Sequence, residues 1–593
     1  MKNYEKELLP LLGEVEKPAR YTGGEFNTPD MNKPDAFNFC ICFPDVYEIG
    51  MSNLGISILY QILNSMPDMV CERCFAPWPD MERKLRENNL PLFSVERKIA
   101  LKDFDAVGFS VQYEMLYSNI LYMLDLAKIP FYAKDRGEEY PILIAGGPCT
   151  VNPEPFKKFF DIVEVGEGEY MLPELLEEIK RGKERGLSKT EILENCKKIE
   201  GIYVPSLHVK GEKVKKAMVR DFENAPDATR PLVPNIEIVH DRACLELYLG
   251  CGSGCRFCQA GFYNRGIRER SVSKLLKTAT ETIENTGFDE MSLSSLSTGD
   301  YSNIKELVEK LKIVADEKRI KLSLPSLRLS SFDGALAMNS RKSSLTFAPE
   351  AGSERLRDVI NKNVTEEEIL SALKEAFADG YTSVKLYFML GLPTETDDDI
   401  RGIGVLVEKI RRTYFEIAHN KKLNVSVSCS VFIPKPVTPF QWCAQISMEE
   451  MERKQQLLRD TFKGMKGVSL SWHDATTSAV EGIFARGDER LNEVIEEAYL
   501  SGAKFDGWSE CFNFDVWINA LKKKGYTIGD FNKEFKENDE LPWDVIDPCV
   551  DKSYLWREHE KGMRAERTRN CREGCNLCGI QKTTKCTICG GRK

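Results

Sequence analysis

The sequence contains no long apolar run, and no secretory signal is visible at its start. No stretch of about 18 apolar residues occurs, so we expect no membrane-spanning helix. The first ten residues are charged and lack an apolar core, which argues against a secretory signal. Acidic residues outnumber basic ones by 92 to 82, and the net charge of −10 excludes a globally basic coat for nucleic acid. We therefore expect a cytoplasmic protein with no membrane partner.

Cysteine is abundant, with 19 in the chain. Without a secretory signal, so many cysteines argue against a disulfide framework and for reduced thiolates. The 593 residues are too many for one hydrophobic core, and their patterning divides them into six parts. These parts are an irregular arm (1–36), a βα domain (37–182), a linker with several prolines (183–240), a second βα series (241–445), a mainly helical region (446–560) and a basic cysteine-rich tail (561–593).

The first βα domain alternates short apolar strands with helices. Apolar runs such as Phe37–Phe43 and Ala106–Val111 are typical of parallel strands covered on both faces. Glycine turns follow two later strands and contain Gly146, Gly147, Gly166 and Gly168. We therefore predict a doubly wound, Rossmann-like parallel sheet whose ligand would lie beyond the strand ends, where these glycines occur. No GxGxxG sequence follows the first strand, so a dinucleotide site is not favoured.

The second series contains six strand-like segments separated by amphipathic segments. The six are Cys244–Leu249, Glu290–Leu296, Ile320–Leu324, Ser344–Ala348, Ser383–Met389 and Val425–Phe432. Six βα units are fewer than the eight that close a full barrel. The pattern therefore predicts an open, partial (β/α)6 barrel, and the fold class of the whole chain is α/β.

The loop after the first of these strands carries Cys251, Cys255 and Cys258 at C-x3-C-x2-C spacing. Three glycines in this loop let the backbone curl around a bulky inorganic group. Three thiolates suit an iron–sulfur cubane and leave one iron open for a small chelating molecule. The competing interpretation is structural zinc, which normally needs a fourth cysteine or histidine nearby, and none follows before His419.

This loop, at the end of the first strand of a six-unit βα series, resembles that of the radical S-adenosylmethionine superfamily. The resemblance covers about residues 243–441. Pro349–Arg355 is similar to an E-x-G-S turn, Lys385–Glu395 to a GLP-x-E segment, and Pro434–Phe440 to the turn after the sixth strand. The sequence Ser297-Thr298-Gly299-Asp300 occupies the place of the loop that holds the methionyl amino group, but it departs from the usual Gly-Gly-Glu.

The resemblance implies a cofactor set and a mechanism. The three cysteines would hold a [4Fe–4S] cluster, and one electron from a flavodoxin or ferredoxin would cleave S-adenosylmethionine and release a 5′-deoxyadenosyl radical. The residues implied to contact S-adenosylmethionine are Phe257, Ser297, Thr298, Gly299, Glu350, Arg355 and Gly391. Two of these assignments have an alternative. Phe257 can instead be an aromatic residue of the core, and Glu350 can be a solvated carboxylate of a turn.

The N-terminal sheet resembles the cobalamin-binding domains of a large subgroup of this superfamily. Through Arg20–Glu25 and Leu541–Asp544, the whole chain also resembles an uncharacterised bacterial family with the same fusion. The resemblance implies cobalamin beside the four glycines at the strand ends. The loop 45–50 has Tyr47 where a cobalt-ligating loop has histidine, so no histidine lower ligand is expected. The alternative is a sheet that kept the fold and lost the cofactor.

The tail repeats the C-x3-C-x2-C spacing and adds a C-x2-C pair. Its cysteines are Cys571, Cys575, Cys578, Cys586 and Cys589. Four thiolates could close a zinc site or hold an auxiliary iron–sulfur cluster, and the alternative is a disordered tail with unpaired thiols. Nine Lys and Arg against two Glu give residues 561–593 a charge of +7, which fits either an RNA contact or a solvated basic tail.

We therefore expect a radical S-adenosylmethionine enzyme that acts on an unknown substrate, with RNA among the candidates and methyl or methylthio transfer among the reactions. Two alternatives remain from the sequence. One is an RNA- or ribosome-associated factor that uses its metal centres structurally, and the other is a sulfur or redox carrier.

Overall fold

The structure is a computed structural model that describes residues 1–323, 345–418 and 422–584. Some residues named above lie outside these ranges: Leu324, Ser344, His419, Cys586 and Cys589. None of the helices in the described ranges is both long and apolar enough to cross a membrane.

Six strands near the N-terminus form one sheet. They are β1 (Phe37–Phe43), β2 (Met69–Phe75), β3 (Ala106–Ser110), β4 (Ile142–Gly146), β5 (Ile162–Glu164) and β6 (Ile202–Tyr203). Their order is β2-β1-β3-β4-β5-β6, with β6 antiparallel to β5 and the others parallel. The order reverses between β1 and β3, and ligands of such sheets bind at this switch point, outside the carboxyl ends of the strands. The predicted doubly wound sheet is confirmed.

The helices of this part pack on both faces of the sheet. They are α1 (Glu5–Leu12), α2 (Tyr47–Gly50), α3 (Leu54–Ser65), α4 (Pro79–Glu87), α5 (Tyr117–Leu126), α6 (Gly168–Glu184) and α7 (Lys189–Cys196). Helix α3 begins after Asn53, whose side chain accepts the N–H of Ile56, as is usual for an N-cap. The sheet domain continues past residue 182, where the sequence pattern ended it, because α7 and β6 still pack on the sheet.

The second βα series forms two short parallel sheets. The strands are β8 (Ala243–Glu246), β11 (Glu290–Ser294) and β12 (Lys321–Ser323) in one sheet, and β13 (Leu345–Glu350), β14 (Ser383–Leu390), β15 (Asn424–Val431) and β16 (Val468–Trp472) in the other. Their orders are β12-β11-β8 and β13-β14-β15-β16. The six expected strands are present, and β16 is a seventh that sequence analysis placed in the mainly helical region.

The strands of the second sheet alternate between two faces. In β14, Val384 and Leu386 are buried against the helices, whereas Lys385 and Tyr387 lie on the opposite face. In β15 the residues on that opposite face are serines, such as Ser428. Because successive strand side chains point to opposite sides, the barrel has an apolar outer face and a polar inner face.

The remaining helices and short strands complete the chain. The barrel helices are α8 (Gln259–Tyr263), α9 (Val272–Thr286), α10 (Ile304–Lys318), α11 (Glu354–Val359), α12 (Glu366–Ala378) and α13 (Asp397–Ile417). The later helices are α14 (Met448–Thr461), α15 (Ala475–Arg486), α16 (Leu491–Leu500), α17 (Phe514–Lys523) and α18 (Lys552–Met563). The short strands are β7 (Val214–Lys215), β9 (Tyr248–Leu249), β10 (Arg268–Glu269) and β17 (Ile546–Asp547), which pair as β9 with β10 and β7 with β17.

The C-terminal helices cover one face of the N-terminal sheet domain. Phe484 of α15 lies with its ring centre 5.3 Å from that of Tyr117 in α5 and 4.8 Å from that of Trp517 in α17. Val480 and Leu491 belong to the same apolar core. The helices α15 to α17 of the mainly helical region are therefore packed into the N-terminal core.

Candidate metal centre and the neighbouring cavity

The first cysteine loop connects β9 to α8 in a tight turn. Gly250 and Gly254 have φ angles of +87° and +70°, which side-chain-bearing residues rarely adopt. A Cβ on Gly250 would lie 2.8 Å from the carbonyl oxygens of Asn264 and Gly266. Glycine is therefore needed for the loop to close on itself.

The three thiols of this loop lie close to one another. Cys251 and Cys255 are buried, and Cys258 is half-buried at the N-terminus of α8, where its sulfur accepts the N–H of Gly261 at 3.4 Å. Burial raises the pKa of Cys258 to about 12, and the neighbouring charges of Cys255 and Cys251 add to that shift. A metal would therefore displace protons as it binds these thiols.

Single-ion sites and cubanes place different demands on these side chains. Among the described residues, no three His, Cys, Asp or Glu side chains converge on a position for one ion. Structural zinc requires such convergence, because all its ligands bind the same atom. Each cysteine of a cubane would bind a different iron, so a cubane does not require that convergence. The three thiols of the loop therefore stay the candidate ligands of a [4Fe–4S] cluster.

Two side chains that sequence analysis missed hold the loop in place. Arg256 is buried and donates from Nη1 to the carbonyls of Asp358 and Val359, both at 3.0 Å, and from Nη2 to Glu558 at 3.1 Å. Asn361 donates from Nδ2 to the carbonyls of Ser253 and Gly254, at 3.2 and 3.1 Å. Arg256 was visible in the motif as the residue after Cys255, but nothing local marks Asn361.

The serine-containing loop after β11 lies beside the cysteine loop. Tyr248, three residues before Cys251, donates its hydroxyl to the carbonyl of Ser297. Ser297 and Thr298 are buried, and Gly299 lies between Thr298 and Asp300 in a short turn. The hydroxyl of Ser297 is buried with no hydrogen-bond partner in the described part of the chain. An unsatisfied buried hydroxyl is the kind of group that a bound polar ligand satisfies.

Phe257 belongs to the cysteine loop, and Glu350 lies close to that loop. Glu350 ends β13 with a φ of +66°, and its carboxylate pairs with Lys362 at 3.0 Å. Burial raises the pKa of Cys258, and the charge of Lys362 acts against that rise, so the pair is close to the Cys258 thiol. Phe257 packs against an apolar cluster that includes Leu356. This cluster leaves part of the Phe257 side chain exposed.

Gly391 belongs to the turn between β14 and α13, and Arg355 of α11 contacts this turn. Arg355 is half-exposed and donates to the side chain and carbonyl of Thr394, at 3.1 and 2.9 Å, and pairs with Asp399. Gly391 donates its N–H to Glu395 at 2.8 Å and has a φ of +81°. The structure therefore places both in contacts that shape this turn, at the same end of the barrel as the cysteine loop.

A cavity of about 210 Å3 lies on the N-terminal sheet between α3 and α6. Gly146, Gly147, Gly166 and Gly168 all line it. Gly108 lines it too, and a Cβ there would lie 2.5 Å from the ring of Phe39, so only glycine leaves that ring in place. The four glycines predicted from the sequence are thus brought together, and Gly108 is an addition.

Glu164 is the unexpected feature of this cavity. It ends β5 and lines the cavity, and its Oε1 atom has no hydrogen-bond partner among the described residues. Burial alone raises the pKa of Glu164 to about 8. The carboxyl group is therefore largely protonated near neutral pH and can donate a hydrogen bond into the cavity.

The wall of this cavity is joined to the barrel. Glu167 binds Arg268 of β10 through two hydrogen bonds of 2.6 Å. Glu246, on the first barrel strand, has a pKa raised to about 7, chiefly by burial and further by the charge of Glu169, which also lines the cavity. The carboxyl groups of Glu167, Glu169 and Glu246, all partly buried, therefore lie where the cavity adjoins the barrel.

Two family models match the chain. The model described as radical SAM proteins, N-terminal, matches residues 55–205, and the model of the radical SAM superfamily matches residues 245–406. An uncharacterised protein of Methanocaldococcus jannaschii is 29% identical over 495 residues, which are 82% of this chain and 97% of that protein. The tRNA-2-methylthio-N(6)-dimethylallyladenosine synthase of Neorickettsia sennetsu is 22% identical over 369 residues, 58% of this chain and 68% of that enzyme.

Two solved structures are similar at low identity. The cobalamin-dependent S-adenosylmethionine radical enzyme OxsB is 14% identical with a TM-score of 0.46, over 89% of this chain and 80% of that one. The radical S-adenosylmethionine methyltransferase TsrM of Kitasatospora setae is 12% identical with a TM-score of 0.45, over 66% of this chain and 75% of that one.

Proposed function

Because this chain belongs to the radical S-adenosylmethionine superfamily, we propose that it transfers a methyl group to its substrate with the help of cobalamin held in the N-terminal cavity. The chain is an enzyme whose cofactors are a [4Fe–4S] cluster and S-adenosylmethionine. When bound, the cluster supplies one electron to the sulfonium of S-adenosylmethionine, and cobalamin supplies a cobalt that accepts and releases a methyl group.

The observation that carries this proposal is the shared wall between the cavity and the cysteine loop. Glu167 lines the cavity and binds Arg268 of β10, and β10 pairs with β9, which ends two residues before Cys251. The cavity and the cysteine loop are therefore linked by one ion pair and one strand pairing. Such an arrangement supports transfer between two cofactors without large movements of the chain.

The cavity residues fit one end of a large cofactor. The glycines allow close approach of the ligand to the backbone. The unpaired Oε1 of Glu164 offers a hydrogen bond at the inner end. Tyr47 is buried and donates its hydroxyl to Glu25 at 2.9 Å, so it is occupied within the protein. We therefore propose that cobalamin binds with no cobalt ligand from residues 45–50.

The residues near the cysteine loop would hold S-adenosylmethionine. The hydroxyl of Ser297 is free to bind a polar group of the ligand, and Glu350 and Lys362 present a charged pair beside Cys258. Phe257 is partly exposed at the same place and can cover the adenine. Superfamily enzymes need a one-electron reductant, and we propose a flavodoxin or ferredoxin for this one.

Three measurements on anaerobically reconstituted protein test this proposal. Iron content and the visible spectrum report the cluster, and titration with hydroxocobalamin reports the corrinoid. Methyl transfer converts S-adenosylmethionine to S-adenosylhomocysteine, whereas reductive cleavage gives 5′-deoxyadenosine, so the two products separate the reactions. We expect Cys251→Ala to lose the iron of this cluster and both products, while Cys511→Ala, outside both cysteine loops, keeps them.

A large side chain placed in the cavity tests whether cobalamin binds there. Ser110 lines the cavity, and Ser110→Trp should abolish the binding of hydroxocobalamin but leave iron content unchanged. Ser65→Trp, on the exposed end of α3, is the matched control. Equal corrinoid binding by both variants would refute the cobalamin part of the proposal.

A second candidate reaction is methylthio transfer to RNA. It is favoured by the similarity to tRNA-2-methylthio-N(6)-dimethylallyladenosine synthases, such as that of Neorickettsia sennetsu. Incubation of the reduced enzyme with bulk tRNA, followed by mass spectrometry of the nucleosides, distinguishes a methyl from a methylthio product. An unmodified tRNA pool would exclude RNA of this kind as the substrate.

A further inference from the structure

The segment after α18 is docked on the barrel beside the first cysteine loop. The N–H of Thr568 donates to the side chain of Asn361 at 2.8 Å, and the N–H of Cys571 donates to the carbonyl of Gly252 at 2.9 Å. Arg572 binds Glu269 of β10 at 2.7 Å. The described part of the tail is therefore an ordered layer over the cysteine loop, unlike the disordered alternative considered from the sequence.

The cysteines of this layer repeat the arrangement of the first loop. Cys571 and Cys578 are only 5% and 4% exposed, and Cys575 between them is half-buried. The N–H of Leu577 points to the sulfur of Cys575 at 3.4 Å. Gly579 has a φ of +100°, which lets the chain turn directly after the third cysteine. Backbone N–H groups directed at sulfur are favourable for thiolates and for cluster ligands.

A buried arginine lies between the two cysteine loops. Arg265, just after α8, is 2% exposed and donates from Nη2 to the sulfur of Cys571 at 3.2 Å. Its Nε and Nη1 atoms have no hydrogen-bond partner among the described residues. The guanidinium is packed between the rings of Phe262 and Tyr554, at 4.9 and 5.2 Å from their centres. A buried cation with unsatisfied donors is costly unless negative charge lies next to it.

We propose that Cys571, Cys575 and Cys578 bind a second [4Fe–4S] cluster, packed against the loop that holds the first, with Arg265 as its buried counter-charge. The thiolates and sulfides of a cluster supply the negative charge and the sulfur acceptors that Arg265 lacks.

The two clusters are neighbours because their loops share a hydrogen bond. A Cβ built on Gly252 would lie 3.4 Å from the Cβ of Cys571, so the loops are in direct contact. Two paramagnetic clusters held this close should interact magnetically when both are reduced. The proposal is independent of the transfer reaction, because it concerns only what the two loops bind.

Iron and zinc analysis of the reconstituted chain tests the proposal. We expect about eight iron ions in the wild-type chain, four for each cluster, and about half as many in Cys575→Ala. Cys575 is the most exposed of the three, so its loss should leave the fold intact; Cys578→Ala serves as a second variant and Cys511→Ala as the control. Unchanged iron in both variants, or zinc that disappears with Cys575, would overturn the proposal.

The variants also separate this proposal from the proposed function. Cys251→Ala should lose the first cluster and keep the second, and Cys575→Ala should do the reverse. Electron paramagnetic resonance of the reduced wild type should show spin–spin interaction that each single variant lacks. If Cys251→Ala retained all its iron, the assignment of the first cluster to this loop would be refuted, and the second would not be affected. If the wild type showed narrow, non-interacting signals from two clusters, the proposed contact between the clusters would be refuted.

Discussion

Glu167 and Arg268 face each other across the boundary between the N-terminal sheet and the barrel, joined by two parallel hydrogen bonds of 2.6 Å. Arg268 is 2% exposed and also donates to the carbonyl of Val219. Bidentate arginine–carboxylate pairs fix both distance and orientation. The pair therefore fixes the distance and orientation between the cavity on the sheet and strand β10 of the barrel.

Loss of this carboxylate should destabilise the protein. Glu167→Gln leaves the buried Arg268 without its counter-charge, and we expect the free energy of unfolding to fall by about 3 kcal/mol. Denaturant unfolding measures the change. Glu200→Gln, which breaks an exposed pair with Arg220, is the control and should change the value by less than about 1 kcal/mol. If both variants lowered the free energy of unfolding equally, the Glu167–Arg268 pair would contribute no more than an exposed pair.

Glu164 should make stability depend on pH. Its folded-state pKa is raised from 4.5 to about 8, so between these values the folded protein holds a proton that the unfolded chain releases. Stability therefore falls as the pH rises through this window, by up to roughly 1.4 kcal/mol per pH unit. We expect Glu164→Gln to have a flatter dependence of Tm on pH between 5 and 8. Glu184→Gln, on the exposed end of α6, should follow the wild type.

Ser297 should contribute to ligand binding rather than to folding. Its hydroxyl is buried without a partner, so Ser297→Ala removes an unsatisfied group and should leave Tm unchanged or slightly higher. If the hydroxyl binds S-adenosylmethionine, the Kd should rise about five- to tenfold, the loss of one hydrogen bond. Calorimetric titration of the reconstituted protein measures it, with the exposed Ser273→Ala as control. An unchanged Kd would remove Ser297 from the site.

Asn361 should be needed to keep the first cysteine loop closed. Its amide donates to two carbonyls of that loop and accepts the N–H of Thr568 from the tail. Asn361→Ala leaves these buried groups unsatisfied, and we expect a loss of about 1–3 kcal/mol in stability together with lower iron content. Asn363→Ala, which removes only a bond to the carbonyl of Thr568, is the matched control and should retain iron.

Local spacing was enough to predict the main architecture and to mark the first cysteine loop as the candidate centre of the site. Cys251, Cys255 and Cys258 lie in a glycine-dependent loop because their spacing and the glycines are consecutive in sequence. The strands of both βα series were predictable because apolar runs report burial on both faces. The glycines of the cavity were predictable because each directly follows a strand.

Contacts between distant residues decided the rest. The strand β16 alternates apolar residues with serines, but only its pairing with β15 shows that it belongs to the barrel sheet. Asn361 holds a loop more than 100 residues away, and Arg265 meets Cys571 across 306 residues. The unpaired state of Glu164 depends on everything packed around it. Sequence alone marked the cysteines and glycines as candidates for the chemistry. The tertiary structure decided which residues are their neighbours, because burial and pairing are properties of the folded chain.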